Sequence, residues 1–270
     1  MAHFALSTRT LVPEDPQVHA LADAAGVHGV YVRNALELGE GDGFLLLERN
    51  APRGLCWFGP RGNLIVVVHG EVEAVPVADA IQRTRLPWRI AMGPAAILDV
   101  LRDRTVTRPL LHRDQVYYAC RPEAAVRELV RDDVRPAQRA DRDRLGQATL
   151  LLNQSDLNID PARVDRRWLR DSIDERIEDG STRVLGPIGA PECKLDFGSD
   201  GPGGLMIEGV FTFPAARGRG LASALVATCI AEAASHRVCL HVGEHNLPAR
   251  AAYERAGMVE VDRCRLLLLA

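Results

Sequence analysis

The stretch Thr212-Phe-Pro-Ala-Ala-Arg-Gly-Arg-Gly-Leu-Ala222 decides how the second half of this chain is interpreted. It joins the apolar segment Leu205–Phe213, which has the pattern of a buried strand, to Leu221–Ala234, which has that of a helix. Gly218 and Gly220 have no Cβ, so an anion can approach the first amides of the helix and the positive end of its dipole. The stretch therefore predicts a phosphate or pyrophosphate site. A tight turn that contains Gly and Arg by accident is the alternative.

A second motif lies downstream of the strand predicted over Val238–Val242. It reads N-x-x-A-x-x-x-Y-x-x-x-G followed by a hydrophobic residue, and its residues are Asn246, Ala249, Tyr253 and Gly257. The order of elements predicted from residue 127 onward is β-α-α-β-β-β-α-β-α-β. The opening strand of this half is predicted over Arg127–Pro136, and the last strand or strands over Met258–Leu269.

Arg217, Gly220 and Ala222, in the pattern R-x-x-G-x-A, together with the second motif resemble the GNAT family of acetyl-CoA-dependent N-acyltransferases. The resemblance covers residues 127–270. It implies an α/β (α+β) fold with a mixed central sheet that is splayed between its fourth strand, Leu205–Phe213, and its fifth, Val238–Val242. The pantetheine arm of acetyl-CoA is expected in that gap, because an amide-rich arm pairs with exposed strand edges.

The resemblance also implies roles for individual residues. It implies no metal site. The main chain of the fourth strand is expected to bind the pantetheine arm. The loop after that strand is expected to hold the pyrophosphate. Asn246 and Tyr253 complete the cofactor site. The residues expected to bind the cofactor are Val210, Phe211, Thr212, Arg217, Gly218, Arg219, Gly220, Leu221, Ala222, Asn246 and Tyr253.

Tyr253, Glu208 and Asn246 are the predicted catalytic residues. A phenol with an ordinary pKa of ~10 stays protonated at neutral pH and can protonate a departing thiolate. A half-buried helix aromatic is the simpler interpretation of Tyr253. Alternation along the strand predicts that Glu208, Val210 and Thr212 share one face.

Glu208 is the first candidate for the base that deprotonates the attacking amine, since a carboxylate in an apolar strand is costly unless it is paired or used. A solvent-facing or salt-bridged glutamate has nearly equal weight. His241, Glu244 and His245 are the other candidates for this base.

The first half has no counterpart of the loop that contains Arg217, Gly220 and Ala222. We predict a boundary that divides the chain into an N-terminal α/β domain, residues 1–125, and an N-acetyltransferase domain, residues 126–270. A degenerate copy of the same fold is one interpretation of the first domain. The whole chain resembles two-domain bacterial GNAT proteins whose N-terminal domain has no assigned function. His241 and Gly243 depart from that family's usual residues, which puts the identity of the acceptor in doubt.

Composition excludes several classes of protein. The 270 residues are 47% hydrophobic with a formal net charge of −3, which argues against a disordered chain and a nucleic-acid partner. Apolar runs are too short for a membrane span, and the six cysteines form no C-x-x-C pair that suggests a metal. The first nine residues lack the pattern of a secretory signal, so a cytoplasmic protein is expected. The single lysine, Lys194, among 32 arginines is attributed to GC-rich codons.

The leading hypothesis is an N-acetyltransferase that moves acetyl from acetyl-CoA to a primary amine by direct attack in a ternary complex. The acceptor is a small molecule or, alternatively, a protein lysine. A non-catalytic CoA-binding or CoA-sensing protein is the hypothesis from a different class. A covalent route through cysteine is disfavoured because no cysteine lies within either motif.

Overall fold

The computed structural model describes residues 6–106 and 108–270. Residues 1–9, which lack the pattern of a secretory signal, lie partly outside the described residues, since residues 1–5 are not described. Within residues 6–106 and 108–270, no helix is long and apolar enough to cross a bilayer.

The same order of ten elements occurs twice along the chain. The first set is β1 (Leu6–Thr10), α1 (Pro16–Ala24), α2 (Val30–Glu37), β2 (Asp42–Glu48), β3 (Ala51–Phe58), β4 (Asn63–Val68), α3 (Ala74–Thr84), β5 (Ile90–Gly93), α4 (Ala95–Asp103) and β6 (Leu111–Cys120). The second set is β7 (Arg135–Pro136), α5 (Arg142–Leu157), α6 (Arg166–Glu178), β8 (Thr182–Leu185), β9 (Cys193–Ser199), β10 (Leu205–Thr212), α7 (Leu221–Glu232), β11 (Val238–Gly243), α8 (Leu247–Ala256) and β12 (Val259–Leu268). Both read β-α-α-β-β-β-α-β-α-β, which confirms that the first half is a second copy of the fold.

The chain packs into two compact units that are not continuous in sequence. The first runs to Val116 and also takes in Gly201–Gly203 and Asp262–Ala270. The second contains Tyr117–Asp200 and Gly204–Val261. The division into functional domains at residue 125 stays a prediction, because these units are defined by packing alone.

The sheet of the first unit is an antiparallel meander, β1 to β4, continued by β5, which runs parallel to β4. The C-terminal part of β12 pairs antiparallel with β5, from Arg265 opposite Gly93 to Leu268 opposite Ile90. Leu267 is fully buried in the apolar core that α3 and α4 cover. The last strand of the chain therefore completes the core of the first unit.

The second unit has the matching arrangement. Strands β7 to β10 are antiparallel, β11 runs parallel to β10, and β6 lies next to β11. Its helices α5 and α6 pack on β8 through Leu145, Leu169, Ile173 and Val184. Because β6 takes the position next to β11, the two copies have exchanged their last strands.

The strand predicted over Arg127–Pro136 is much shorter in the structure. Arg127–Leu129 forms a short 3-10 turn, and only Arg135–Pro136 pairs with a neighbouring strand. Arg131 and Asp133 bind each other at 2.6–2.7 Å, so this charged segment satisfies its own side chains outside a sheet. Asp141 stands at the N-cap of α5, but its carboxylate binds Arg135 and the amides of Gln138 and Gly189 instead of capping the helix.

Candidate active site

A gap between β10 and β11 is the main feature of the second unit. The two strands pair only at their beginnings, where Leu205 lies opposite Val238 and Met206 opposite Cys239. Beyond Met206 the pairing stops, although both strands continue to Thr212 and Gly243. This confirms the predicted splay of the sheet. Main-chain groups along the edge of β10 are thus available for an amide-rich ligand.

The loop at the carboxyl end of β10 leads directly into α7. Gly218 and Gly220 have φ of +77° and +75°, a conformation that side chains strain to adopt. A Cβ built on either glycine meets no atom within 4 Å, so the space in front of both is open. Gly220 is the N-cap of α7 and provides no side-chain cap, which leaves the first amides of the helix for a ligand. These properties fit a pyrophosphate site.

Two arginines add positive charge to this loop. The Arg217 guanidinium donates to the Thr212 carbonyl at 3.1 Å and lies 5.9 Å from the Phe211 ring centre. Arg219 pairs with Glu192 at 2.7 Å. Leu221 is buried and anchors the first turn of α7, while Ala222 is partly exposed beside it. The predicted cofactor residues from Arg217 to Ala222 therefore lie in the loop and in the first turn of α7.

Tyr253 lies on α8 and is only 6% exposed. Burial raises the pKa of its phenol, and the nearby Asp156 carboxylate and Cys193 add to the shift, so the hydroxyl stays protonated at neutral pH. Cys193 in turn contacts the Thr212 hydroxyl at 3.2 Å, at the end of β10. The phenol thus lies among groups of α5, β9 and β10.

Tyr118 packs against Tyr253 and was missed by the sequence reasoning. The two rings meet edge to face, with centres 6.1 Å apart. The Tyr118 hydroxyl donates to Glu254 at 2.7 Å and accepts from Arg250 at 3.1 Å. These two bonds fix the ring of Tyr118, which limits the rotamers open to Tyr253. No sequence motif indicates a role for Tyr118, because this residue precedes the predicted domain by several residues.

Asn246 has a structural role. Its side-chain oxygen accepts from the Ala249 amide at 3.3 Å and so caps α8 at its first turn. At the other end Gly257 has φ of +106°, and a Cβ there would lie 2.0 Å from the Ala124 carbonyl oxygen. The cap and the glycine set both ends of the helix that carries Tyr253. A catalytic role for Asn246 stays a prediction.

The prediction that Glu208, Val210 and Thr212 share one face is wrong. Glu208 lies opposite Asp196, and Phe211 lies opposite Lys194, so β10 has one residue more than β9 over this span. This β-bulge shifts the alternation, and Glu208 shares its face with Phe211. Thr212, opposite Cys193, lies on the other face.

Glu208 folds across Gly198 of β9. A Cβ on Gly198 would lie 2.2 Å from the carboxyl carbon of Glu208, so only glycine leaves room for this side chain. Burial raises the pKa of the carboxyl from its ordinary 4.5 to about 7. A carboxyl that titrates near neutral pH is well matched to a general base. Among the other candidates, His241 packs edge-on against Tyr117, Glu244 is partly exposed and His245 is exposed.

The cysteines are poor nucleophiles. All six are free thiols, and five of them are buried. Burial raises the pKa of Cys193 to about 11 and that of Cys239 to about 12. Thiols with such values are protonated at neutral pH, which disfavours a covalent intermediate on sulfur. Within residues 6–106 and 108–270, no group of three acidic, histidine or cysteine side chains is arranged to hold a metal ion.

The first unit lacks the corresponding features. A Cβ on Gly93 of β5 would lie 2.9 Å from the Val66 carbonyl oxygen of β4, so these strands stay in contact beyond their last paired residues. The loop before α3 has the exposed Glu71 and Glu73, and Glu73 is the N-cap of α3, whereas the N-cap of α7 is Gly220. Carboxylates at a helix N-terminus occupy the place of an anion and repel phosphate.

Comparisons with known proteins agree with this geometry. A family model described as the acetyltransferase (GNAT) family matches residues 148–258. A search of curated proteins finds no match. The chain is similar in structure to a Drosophila protein with a TM-score of 0.66 and 14% identity over 99% of each chain.

Two bacterial proteins have a similar fold. One is a GCN5-related N-acetyltransferase from Sphaerobacter thermophilus, with a TM-score of 0.57 and 18% identity over 97% of this chain and 95% of that one. The other is an acetyltransferase of the GNAT family from Colwellia psychrerythraea, with a TM-score of 0.55 and 14% identity over 98% and 100%. These TM-scores show a similar fold. The family match identifies residues 148–258 as a GNAT acetyltransferase domain, which supports an acyltransferase.

Proposed function

We propose that the second unit transfers acetyl from acetyl-CoA to a primary amine by direct attack in a ternary complex. The observation that carries this proposal is the gap between β10 and β11 beside the open loop of Gly218 and Gly220. The pantetheine arm lies along the edge of β10 through Val210, Phe211 and Thr212, and the amides that begin α7 hold the pyrophosphate.

In the proposed reaction Glu208 removes a proton from the acceptor's ammonium group, directly or through water. The free amine attacks the thioester carbonyl carbon, the C–S bond breaks, and the Tyr253 hydroxyl protonates the departing thiolate. The nitrogen loses its second proton to solvent, from which the phenolate is reprotonated, and Glu208 releases its proton to solvent. The products are the N-acetyl amine and CoA, with one proton released overall. A carboxyl titrating near neutral pH and a protonated phenol support these two assignments.

The test is release of the CoA thiol. Purified protein is incubated with acetyl-CoA and a panel of small primary amines, amino acids and lysine-containing peptides, and free thiol is followed with a chromogenic disulfide. Turnover with a small amine supports the proposal, and turnover with peptides alone supports a protein lysine acceptor. Acetyl-CoA binding without turnover for any acceptor favours the CoA-sensing alternative.

We expect Glu208→Gln to change the pH dependence of both activity and stability. With any acceptor, the rise of wild-type kcat/KM through about pH 7 should disappear in the variant, because the amide that replaces the carboxylate cannot accept a proton. The native carboxyl has a pKa above its unfolded value, so wild-type stability falls as pH rises from 4.5 through about 7.

The variant should therefore match the wild type near pH 4.5 and exceed it at pH 8 by up to about 3 kcal/mol, because the pKa rises from 4.5 to about 7 and one pKa unit is worth about 1.4 kcal/mol. Urea unfolding at both pH values measures this. Glu232→Gln, which alters an exposed glutamate of α7, is the matched control. An equal stability difference at the two pH values would contradict the raised pKa of the Glu208 carboxyl.

We expect one CoA molecule per chain, held by the second unit. Calorimetry with CoA should give a stoichiometry of one, because the first unit has acidic residues before α3 and closed strands at Gly93. A stoichiometry of two would show that the first copy has kept a cofactor site.

A further inference from the structure

A buried ionic cluster lies on the same face of the sheet as Glu208. Lys194 and Asp196 of β9 are 3% and 8% exposed, and the Lys194 ammonium pairs directly with Asp196 Oδ2. The Thr182 hydroxyl donates to Asp196 Oδ1 at 2.7 Å, and Arg176 lies 3.4 Å from Asp196 Oδ2. Two cations thus face one carboxylate, so these three ionised side chains have a net positive charge.

The cluster lies directly against the bulge of β10. Gly209 has φ of +56°, and a Cβ on it would lie 2.6 Å from Asp196 Oδ2 and 2.8 Å from Lys194 Nζ. The ammonium and the carboxylate therefore occupy the space of the missing side chain. Gly209 and Val210 are the residues of β10 without a register partner in β9. The ion pair and the extra residue of the strand fit each other.

Stability alone does not account for such a pair. Removing two charges from water is costly, and replacing a buried ion pair by apolar residues is often neutral or stabilising. The chain has 32 arginines and a single lysine, and that lysine is in this pair. An ammonium is a compact charge on a flexible stem, whereas a guanidinium is a larger planar group. The Lys194 ammonium fills the space beneath Gly209.

We propose that Lys194 and Asp196 are positioning residues for acetyl transfer, a role that rests on the proposed function. They hold the bulge at Gly209 and Val210 in the conformation in which its main chain faces the thioester carbonyl. The positive charge of the cluster beneath the bulge stabilises the negative charge that develops on the carbonyl oxygen during attack. Fixed dipoles and charges aimed at a developing oxyanion act in this way in other enzymes.

The ¹³C chemical shift of the acetyl-CoA carbonyl carbon reports polarisation of this bond, and its measurement needs no acceptor. Acetyl-CoA labelled with ¹³C at the carbonyl is bound to the full chain, and its ¹³C chemical shift is compared with that of the free compound. In the wild type we expect a downfield displacement. In Lys194→Met, and in the neutral double variant Lys194→Met/Asp196→Asn, the displacement should fall by at least half, while Kd for CoA stays within about threefold.

Two further variants make the test specific. Arg142→Gln/Asp174→Asn removes another ion pair of this unit, between α5 and α6, and should keep the wild-type displacement. Gly209→Ala places a Cβ against Asp196 Oδ2 and Lys194 Nζ. This variant should lose the displacement of the ¹³C shift even if the Lys194 variants fail to fold. If Gly209→Ala or a folded Lys194 variant keeps the wild-type displacement of the ¹³C shift, the inference is overturned. Failure of the wild type to bind acetyl-CoA would instead overturn the proposed function.

Discussion

Tyr253→Phe is expected to bind acetyl-CoA as tightly as the wild type and to turn over roughly 10²–10⁴-fold more slowly, the usual contribution of a positioned proton donor. Affinity is retained because the ring, which is buried against Tyr118, still packs in the variant. Turnover falls because the thiolate must leave without a proton from the phenol. Calorimetry with acetyl-CoA and thiol release with the acceptor found in the panel measure the two effects.

Tyr118→Phe is the matched control for this prediction. It removes the hydroxyl of a neighbouring buried tyrosine whose bonds go to Glu254 and Arg250. We expect a loss of less than about tenfold, since no proton of the reaction depends on this group. Full activity of Tyr253→Phe, or an equal loss in both variants, would remove Tyr253 from the role of general acid. The effects of Tyr253→Phe and Glu208→Gln need not multiply, because residues that act together are non-additive.

Gly220→Val is expected to weaken CoA binding by about 100-fold or more. The branched side chain would stand in the open space where phosphate oxygens approach the amides of α7, and φ of +75° strains any β-branched residue. The fold should persist, because the added Cβ meets no protein atom within 4 Å. Calorimetry with CoA and thermal unfolding are the measurements.

Gly70→Val supplies a closely matched control. Gly70 follows β4 of the first unit and precedes α3, has φ of +76°, and also has nothing within 4 Å of an added Cβ. Both variants should lose similar stability from backbone strain, and only Gly220→Val should lose CoA affinity. Equal CoA affinity in a folded Gly220→Val protein would remove the loop from the cofactor site.

Regular periodicity predicted most of the second unit. The strands predicted over Leu205–Phe213 and Val238–Val242 and the helix predicted over Leu221–Ala234 agree with β10, β11 and α7 to within two residues. In the first half of the chain, strands β5 and β6 have weak local signals. Strand β5 has four residues, and β6 opens with charged residues before its buried Val116–Ala119 segment. Such strands form because neighbours pair with them, which no local pattern records.

The site was predicted well where it depends on local sequence and poorly where it depends on distant contacts. The glycine loop and the helix of Tyr253 are local motifs. The bulge at Gly209 was overlooked, although a glycine inside an apolar strand is a recognised signal for one. Its effect on Glu208 depends on the register with β9. The ion pair of Lys194 and Asp196 beneath it also requires the folded sheet, so composition alone attributed that lysine to codon usage.

The most direct test of the account is a crystal structure of the chain with acetyl-CoA. We predict one molecule per chain, with its pyrophosphate on the amides of Gly218–Ala222 and its pantetheine arm between β10 and β11. The thioester sulfur should lie within hydrogen-bonding distance of the Tyr253 hydroxyl. Acetyl-CoA bound outside this gap, or a Tyr253 hydroxyl remote from the sulfur, would contradict the proposed acetyl transfer.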